Sequence, residues 1–250
     1  MIKEKIYRRV DAAYYDKIYH QKNYKKEAEF IHKAIKKYSK VRGRKLLDIP
    51  IGTGKHSVLL RKFGYKVVGA DISTDMLKIA KTKLKGIRLV KANMKDFNLE
   101  EKFDALICMF SSINYNRNYK NLKSTLKNFH NHLQKGGILI FDVGFYPFKS
   151  KLSPLIETYL SKDLQIARFA ESTKRGNKVI IKFVMVIKKG DKIKILRDEH
   201  KLGYLNPRSI KKIMESAGFK TFVFNGFTFK SYRYNKKSDR PVFVGIKPVD

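Results

Sequence analysis

Apolar positions recur along this chain at two spacings. Between residues 5 and 38, Ile6, Val10, Ala13 and Ile18, then Ala28, Ile31, Ala34 and Ile35, fall on one face of a helical period and predict two helices. The run Lys45-Leu46-Leu47-Asp48-Ile49 stops at Pro50 and two glycines, the profile of a buried strand feeding a turn. A helix follows through Val58, Leu59, Leu60 and Phe63, and Gly64 sits where a left-handed residue ends a helix. Strands are predicted at 65–70, 87–92, 103–110 and 138–143, with helices at 75–84 and 118–133 between them. Short apolar strands alternating with helices imply a parallel sheet covered on both faces.

The pattern changes at about 145–203. Segments 179–188 and 193–205 partly alternate around Lys189-Gly190-Asp191, a hairpin signal, so this stretch reads as a small antiparallel insertion. Asn206-Pro207 then opens a helix through Ile210, Ile213 and Met214 that ends at Gly218, and 219–224 and 242–246 predict two closing strands. The expected organisation is a helical cap over 1–40, an α/β domain over 41–144 and 204–250, and an antiparallel cap over 145–203.

Composition narrows the classes. A single Cys cannot pair within the chain, and 43% hydrophobic residues exclude a disordered polymer. No apolar run approaches the roughly 18–20 residues of a bilayer span, and MIKEKIYRRV lacks the apolar centre of a signal peptide. A soluble, cytoplasmic protein is the expectation. Lys and Arg number 56 against 22 Asp and Glu, leaving +34. Such a field attracts RNA, nucleotide sugars or anionic lipid, but the cations are spread along the chain rather than forming one stripe interleaved with aromatics. Composition does not decide between a polyanion partner and a solvated lysine-rich surface.

The turn Ile49-Pro50-Ile51-Gly52-Thr53-Gly54-Lys55-His56-Ser57 carries the first chemistry. A P-loop needs Gly at 49 and a hydroxyl at 56, where Ile and His stand. A dinucleotide fingerprint needs a third Gly at 57, where Ser stands, and leaves Asp48 beside an anion. A carboxylate there suits a cation. S-adenosylmethionine carries an ammonium and a sulfonium and no phosphate. Asp48 could meet the ammonium directly or through water, and Gly52 and Gly54 leave room for the ligand against backbone. Asp71, ending the second strand, could accept both ribose hydroxyls; Asn93 and Met94 offer an amide and an apolar cap for adenine, with Asp96 close behind. Asp71 as a helix cap and Met94 as core remain alternatives.

In that order, Leu-Leu-Asp-Ile-Pro-Ile-Gly-Thr-Gly (46–54), Val-Val-Gly-Ala-Asp-Ile-Ser-Thr-Asp-Met-Leu (67–77), Asn-Met-Lys-Asp-Phe (93–97) and Gln-Lys-Gly-Gly (134–137) resemble the motif series of class I S-adenosylmethionine-dependent methyltransferases. The resemblance implies a Rossmann-like sheet, mostly parallel with an antiparallel last strand, and adds Ile72, Met76 and Met109 as donor contacts. Tyr15-Asp16, Cys-Met-Phe-Ser-Ser-Ile-Asn-Tyr (108–115) and Phe-Val-Gly-Ile (243–246) resemble the amino-sugar N-methyltransferases, which insert an antiparallel cap after the fifth strand. By that resemblance Tyr15 and Tyr24 close over the donor, and Tyr7, Tyr115 and the insertion line the acceptor pocket. Pro50 departs from the small residue usual there and puts the loop conformation in question.

A methyl on sulfonium is already activated, so positioning and exclusion of water are the main demands on the enzyme. An amine must be neutral to attack; Tyr7, Tyr115 and His200 are the candidate proton acceptors, followed by Asn114 and Glu199. A hydrogen-bonded or surface role is the alternative for His200. His56 reads as structural or near the donor carboxylate, and His130 and His132 as helix-end residues; no third ligand supports a metal. After the fourth strand, Phe110-Ser111-Ser112-Ile113 lacks the Pro-Pro-aromatic signature of base N-methylation, and Cys108 lies in an apolar strand rather than beside a Pro as a C5-methylating nucleophile. A small amine acceptor is therefore expected. The alternatives are an RNA or other polyanion methyltransferase, and a nucleic-acid-binding relative without turnover. The insertion could also join two subunits as a homodimer.

Overall fold

The computed structural model describes residues 9–146, 155–234 and 240–249. Tyr7 lies outside them. In chain order come α1 (Arg9–Ile18), α2 (Tyr24–Tyr38), β1 (Lys45–Asp48), α3 (Lys55–Lys62), β2 (Lys66–Asp71), α4 (Thr74–Lys83) and β3 (Arg88–Lys91). β4 (Phe103–Cys108), a 3-10 turn (Ser112–Asn116), α5 (Tyr119–His132) and β5 (Leu133–Asp142) follow. Then come β6 (Leu155–Leu160), β7 (Leu164–Arg175), β8 (Lys178–Lys189), β9 (Lys192–Gly203), α6 (Pro207–Ser216), β10 (Lys220–Asn225) and β11 (Pro241–Ile246).

Neighbouring residues within each central strand are both apolar because both sheet faces are covered. Leu46, Ala105, Ile107, Ile138 and Ile140 are buried with α2 and α3, through Ala28, Ile31, Ala34 and Leu60. Their neighbours Leu47, Leu106, Cys108, Leu139 and Phe141 are buried with α5 and α6, through Leu122, Leu126, Ile210 and Met214. The sheet has seven strands in the order β10-β11-β5-β4-β1-β2-β3. β1 to β5 pair in parallel, whereas β11 runs antiparallel to both β5 and β10. This is the α/β architecture expected from the sequence.

Start and stop signals act as local chemistry predicts. Asn206 accepts from Arg208 N at 2.8 Å and Pro207 takes the first turn of α6, while Gly218 leaves the helix at φ +93°. The strand predicted to reach Phe110 ends at Cys108, because Phe110 and Ser111 adopt φ +60° and +58° and turn the chain.

β6 to β9 form a separate four-stranded antiparallel sheet within 145–203. The sequence pattern had signalled only its last two strands. One face of this sheet packs Ile166, Met185 and Ile187 against Ile18 of α1. Further along that face, Ala170, Ile181 and Leu202 pack against Tyr115 and Phe145. The second sheet thus roofs the carboxyl edge of the first. No helix among the described residues is long and apolar enough to cross a membrane.

Candidate functional site

Parallel strands bring their carboxyl ends to one edge, so Asp48 and Asp71, which end β1 and β2, and Asn93, which follows β3, come to it. Between that edge, α1, α2 and the second sheet lies a cavity of about 1340 Å³. Tyr15, Tyr24, Gly52, Asp71, Ile72, Met76, Asn93, Met94 and Met109 line it, as do Tyr115 and His200.

Asp48 and Gly54 are not among the lining residues. Asp48 is buried behind the turn, where Ser57 Oγ donates to its Oδ2 at 2.6 Å. Gly54 caps α3 at φ +80°, and a Cβ there would meet Leu84 Cδ1 at 2.6 Å. Its glycine therefore serves helix packing. Gly52, at φ +56° with nothing within 4 Å of a Cβ, borders open cavity. The turn closes around Pro50 through Ile51 N to Ala70 O at 2.8 Å and Gly54 N to Ile51 O at 3.0 Å.

Asp71 receives Gly52 N on Oδ2 and Ser73 N on Oδ1, both at 2.8 Å. Burial nevertheless raises its pKa to about 6, and burial does the same to Asp48. The cap of α4 is Ser73, whose Oγ accepts from Met76 N at 3.3 Å, so capping does not account for Asp71. α1 is tied to the same turn: Thr53 Oγ1 donates to Asp16 Oδ1 at 2.7 Å, and Lys83 pairs with Asp16 Oδ2.

Beside this edge stands a network that the sequence did not announce. Glu27 Oε2 lies 2.6 Å from His56 Nε2, and Glu27 Oε1 pairs with Lys22. Burial alone would raise Glu27, yet His56 and Lys22 hold it below the usual carboxylate range. Lys22 Nζ sits 4.5 Å from the Phe110 ring centroid and 4.8 Å from that of Tyr24; burial lowers its pKa. One signal was present: Glu27 falls inside the apolar stripe of α2, between Tyr24 and Ala28.

Across the cavity the walls are aromatic. Tyr19 packs edge-on to Phe110 at 4.9 Å, and Tyr15 to Phe110 at 6.4 Å. The Arg168 guanidinium lies 4.6 Å from Tyr19 and 4.8 Å from Phe183, while its Nε donates to Glu157 Oε2 at 2.7 Å. Glu157 and Arg168 are direct cross-strand partners of β6 and β7. Tyr115 Oη is 2.6 Å from His200 Nδ1, and His200 Nε2 is 2.9 Å from Asp198 Oδ2. His200 is buried, which removes the surface alternative. Asn114 and Glu199 lie off the site: Asn114 holds the backbone of Gly144 and Gly203, and Glu199 pairs with Lys201.

His130 and His132 sit in the last turn of α5, and Cys108 is buried with its thiol pKa pushed up by desolvation. No group of three metal-ligating side chains occurs among the described residues. A second groove, about 890 Å³, includes Arg42, Arg44, Lys45, Arg61, Lys66 and Arg88 against Asp104 in its lining.

Comparison with known proteins fits this geometry. Residues 46–137 match the methyltransferase domain family. A Streptomyces venezuelae dTDP-3-amino-3,4,6-trideoxy-alpha-D-glucopyranose N,N-dimethyltransferase is 26% identical over 80% of this chain and 82% of its own. Three further curated relatives match over about half of their own length. Among solved structures, an S-adenosylmethionine-dependent methyltransferase from Clostridium acetobutylicum superposes with TM-score 0.82 at 24% identity, covering 95% of this chain and 97% of that one. DesVI of Streptomyces venezuelae gives TM-score 0.82 at 23% identity, covering 98% and 100%. Domain match, strand order and whole-chain likeness converge: residues 46–137 carry a methyltransferase domain, and the chain has the fold of S-adenosylmethionine-dependent methyltransferases.

Proposed function

We propose that this enzyme methylates the nitrogen of a small amine carried on a sugar, with the donor at the edge of the parallel sheet and the acceptor under the antiparallel roof. The observation that carries this reading is the 2.6 Å contact between Tyr115 Oη and His200 Nδ1 in the same cavity as Asp71. An amine needs a proton acceptor, and this pair supplies one.

S-adenosylmethionine supplies, when bound, a methyl group already activated on sulfonium. Asp71 would hold the ribose hydroxyls, Gly52 would admit the donor against backbone, and Asn93 with Met94 would meet the adenine beside Ile72 and Met76. Tyr15 and Tyr24 would close over the donor, with Met109 below. Asp48 would bias the loop toward a cation without touching it. The aromatic walls keep water from the reacting atoms. The amino-sugar relative supports nitrogen as the acceptor atom and a nucleotide-linked sugar as its carrier.

The test incubates the full chain with S-adenosylmethionine and nucleotide-linked 3-amino and 4-amino deoxysugars, with glycine and RNA alongside, and reads products by mass spectrometry. N-methylated amino sugar is expected; methyl groups found only on RNA would overturn the reading. The basic groove supports a second reading, a polyanion partner, whose binding would weaken steeply as salt rises.

A further inference from the structure

Asp198 is neither on the cavity wall nor in any motif that pointed to function, yet it completes a chain of three side chains ending inside the cavity. Its Oδ2 lies 2.9 Å from His200 Nε2, while His200 Nδ1 lies 2.6 Å from Tyr115 Oη. A carboxylate only accepts hydrogen bonds, so the His200 nitrogen facing it carries the hydrogen. In a neutral imidazole the other nitrogen, Nδ1, is then a bare acceptor, and Tyr115 must donate to it.

We infer that Asp198 is a positioning residue that fixes the His200 tautomer and turns Tyr115, His200 and Asp198 into a proton exit for the acceptor nitrogen. The inference rests on the amine reading above. Proton balance is simple. As the acceptor nitrogen gives a proton to Tyr115 Oη, Tyr115 passes its own to His200 Nδ1, and the resulting imidazolium faces the Asp198 carboxylate. After product leaves, the Nδ1 proton returns through Tyr115 Oη to water entering the cavity, which keeps hydrogen on Nε2 beside Asp198 and resets the chain.

The surroundings fit this use. Strand alternation on β9 puts Asp198 and His200 on the same face, two residues apart, and the register pairs His200 with Ile181 and Asp198 with Phe183. The Phe183 ring meets His200 edge-on at 5.0 Å and carries the Arg168 guanidinium at 4.8 Å. That cation is itself paired with Glu157, and Asp198 Oδ2 lies 2.9 Å from His200 Nε2. The arrangement has the geometry of an acid-His-hydroxyl relay with a phenol as the terminal group.

The test is Asp198→Asn with Asp198→Glu as the conservative partner. An amide can donate to Nε2 and so stabilises the opposite tautomer. Turnover of the amine in Asp198→Asn should fall by roughly 10²-fold, with donor Kd and acceptor KM unchanged, and Asp198→Glu should recover most of it. Imidazole ¹⁵N spectra, with the His200 signal assigned by its loss in His200→Gln, should show hydrogen on Nε2 in the wild type and on Nδ1 in Asp198→Asn. Wild-type product with undiminished turnover in Asp198→Asn would overturn the relay alone. No N-methylated product from the wild type would overturn the amine reading itself. Should Asp198→Asn fail to fold, the wild-type spectrum decides: hydrogen on Nδ1 overturns the relay, hydrogen on Nε2 upholds it.

Discussion

At the edge of the parallel sheet, Asp71 is held by backbone N–H groups of Gly52 and Ser73, the farther of them 19 positions away. Across the cavity, Tyr115 meets His200 over a separation of 85 positions, and Arg168 meets Glu157 and two aromatic rings through side chains alone. The edge proposed to hold the donor is therefore fixed by the path of a strand and its turn. The opposite wall depends on the register of four antiparallel strands, whose contact with the edge runs in part through α1. On the proposed reading, donor binding should be robust and acceptor choice adjustable.

Substitutions can separate the two ends. The largest effect is expected from Arg168→Met, which leaves Glu157 without its partner and strips the cation from Tyr19 and Phe183. Glu157 keeps about one-fifth of its side-chain exposure, so the loss should sit at the low end for broken buried pairs, about 3 kcal/mol in urea unfolding. Acceptor KM should rise, and donor Kd should hold.

Next comes pH. Burial holds both Asp71 and Asp48 at about 6 against an ordinary 3.8, so the folded protein keeps protons that the unfolded chain has released. Their contribution to stability is greatest below the ordinary value and is lost as pH rises through about 6. Donor affinity should move the other way, weakening as pH falls below about 6 and Asp71 takes up its proton. Opposite slopes in melting and in titration calorimetry are expected, with Asp48→Asn flattening the melting slope and leaving the binding slope in place. Thr53→Val should have the smallest effect, about 1 kcal/mol, through loss of the hydrogen bond to Asp16 that ties α1 to the turn. Urea unfolding should register that loss, and donor Kd should weaken with it.

The same contrast governs how much the sequence revealed. Asp71, Asn93 and Met94 stand at or just after short apolar runs that read as strands, so their meeting place was legible once the sheet was taken as parallel. Gly54 was legible as a turn residue, but its use against Leu84 was not, because that contact crosses from α3 to the end of α4. Strands β6 and β7 were not read individually; Arg168 nonetheless left a trace, standing between Ile166 and Ala170 on the buried face of β7. Lys22 and Glu27 flank the start of α2, and only the folded path brings them to His56. The Tyr115–His200 contact needed the second sheet to be laid over the first, which periodicity does not specify.

Titration calorimetry of S-adenosylmethionine into the wild type, Asp71→Asn and Tyr115→Phe tests the division of the cavity most directly. Asp71→Asn should weaken donor binding by about 1–3 kcal/mol through loss of a charged acceptor, and Tyr115→Phe should bind like the wild type while turning over poorly. Undiminished affinity in Asp71→Asn, or a donor defect of that size in Tyr115→Phe, would contradict it.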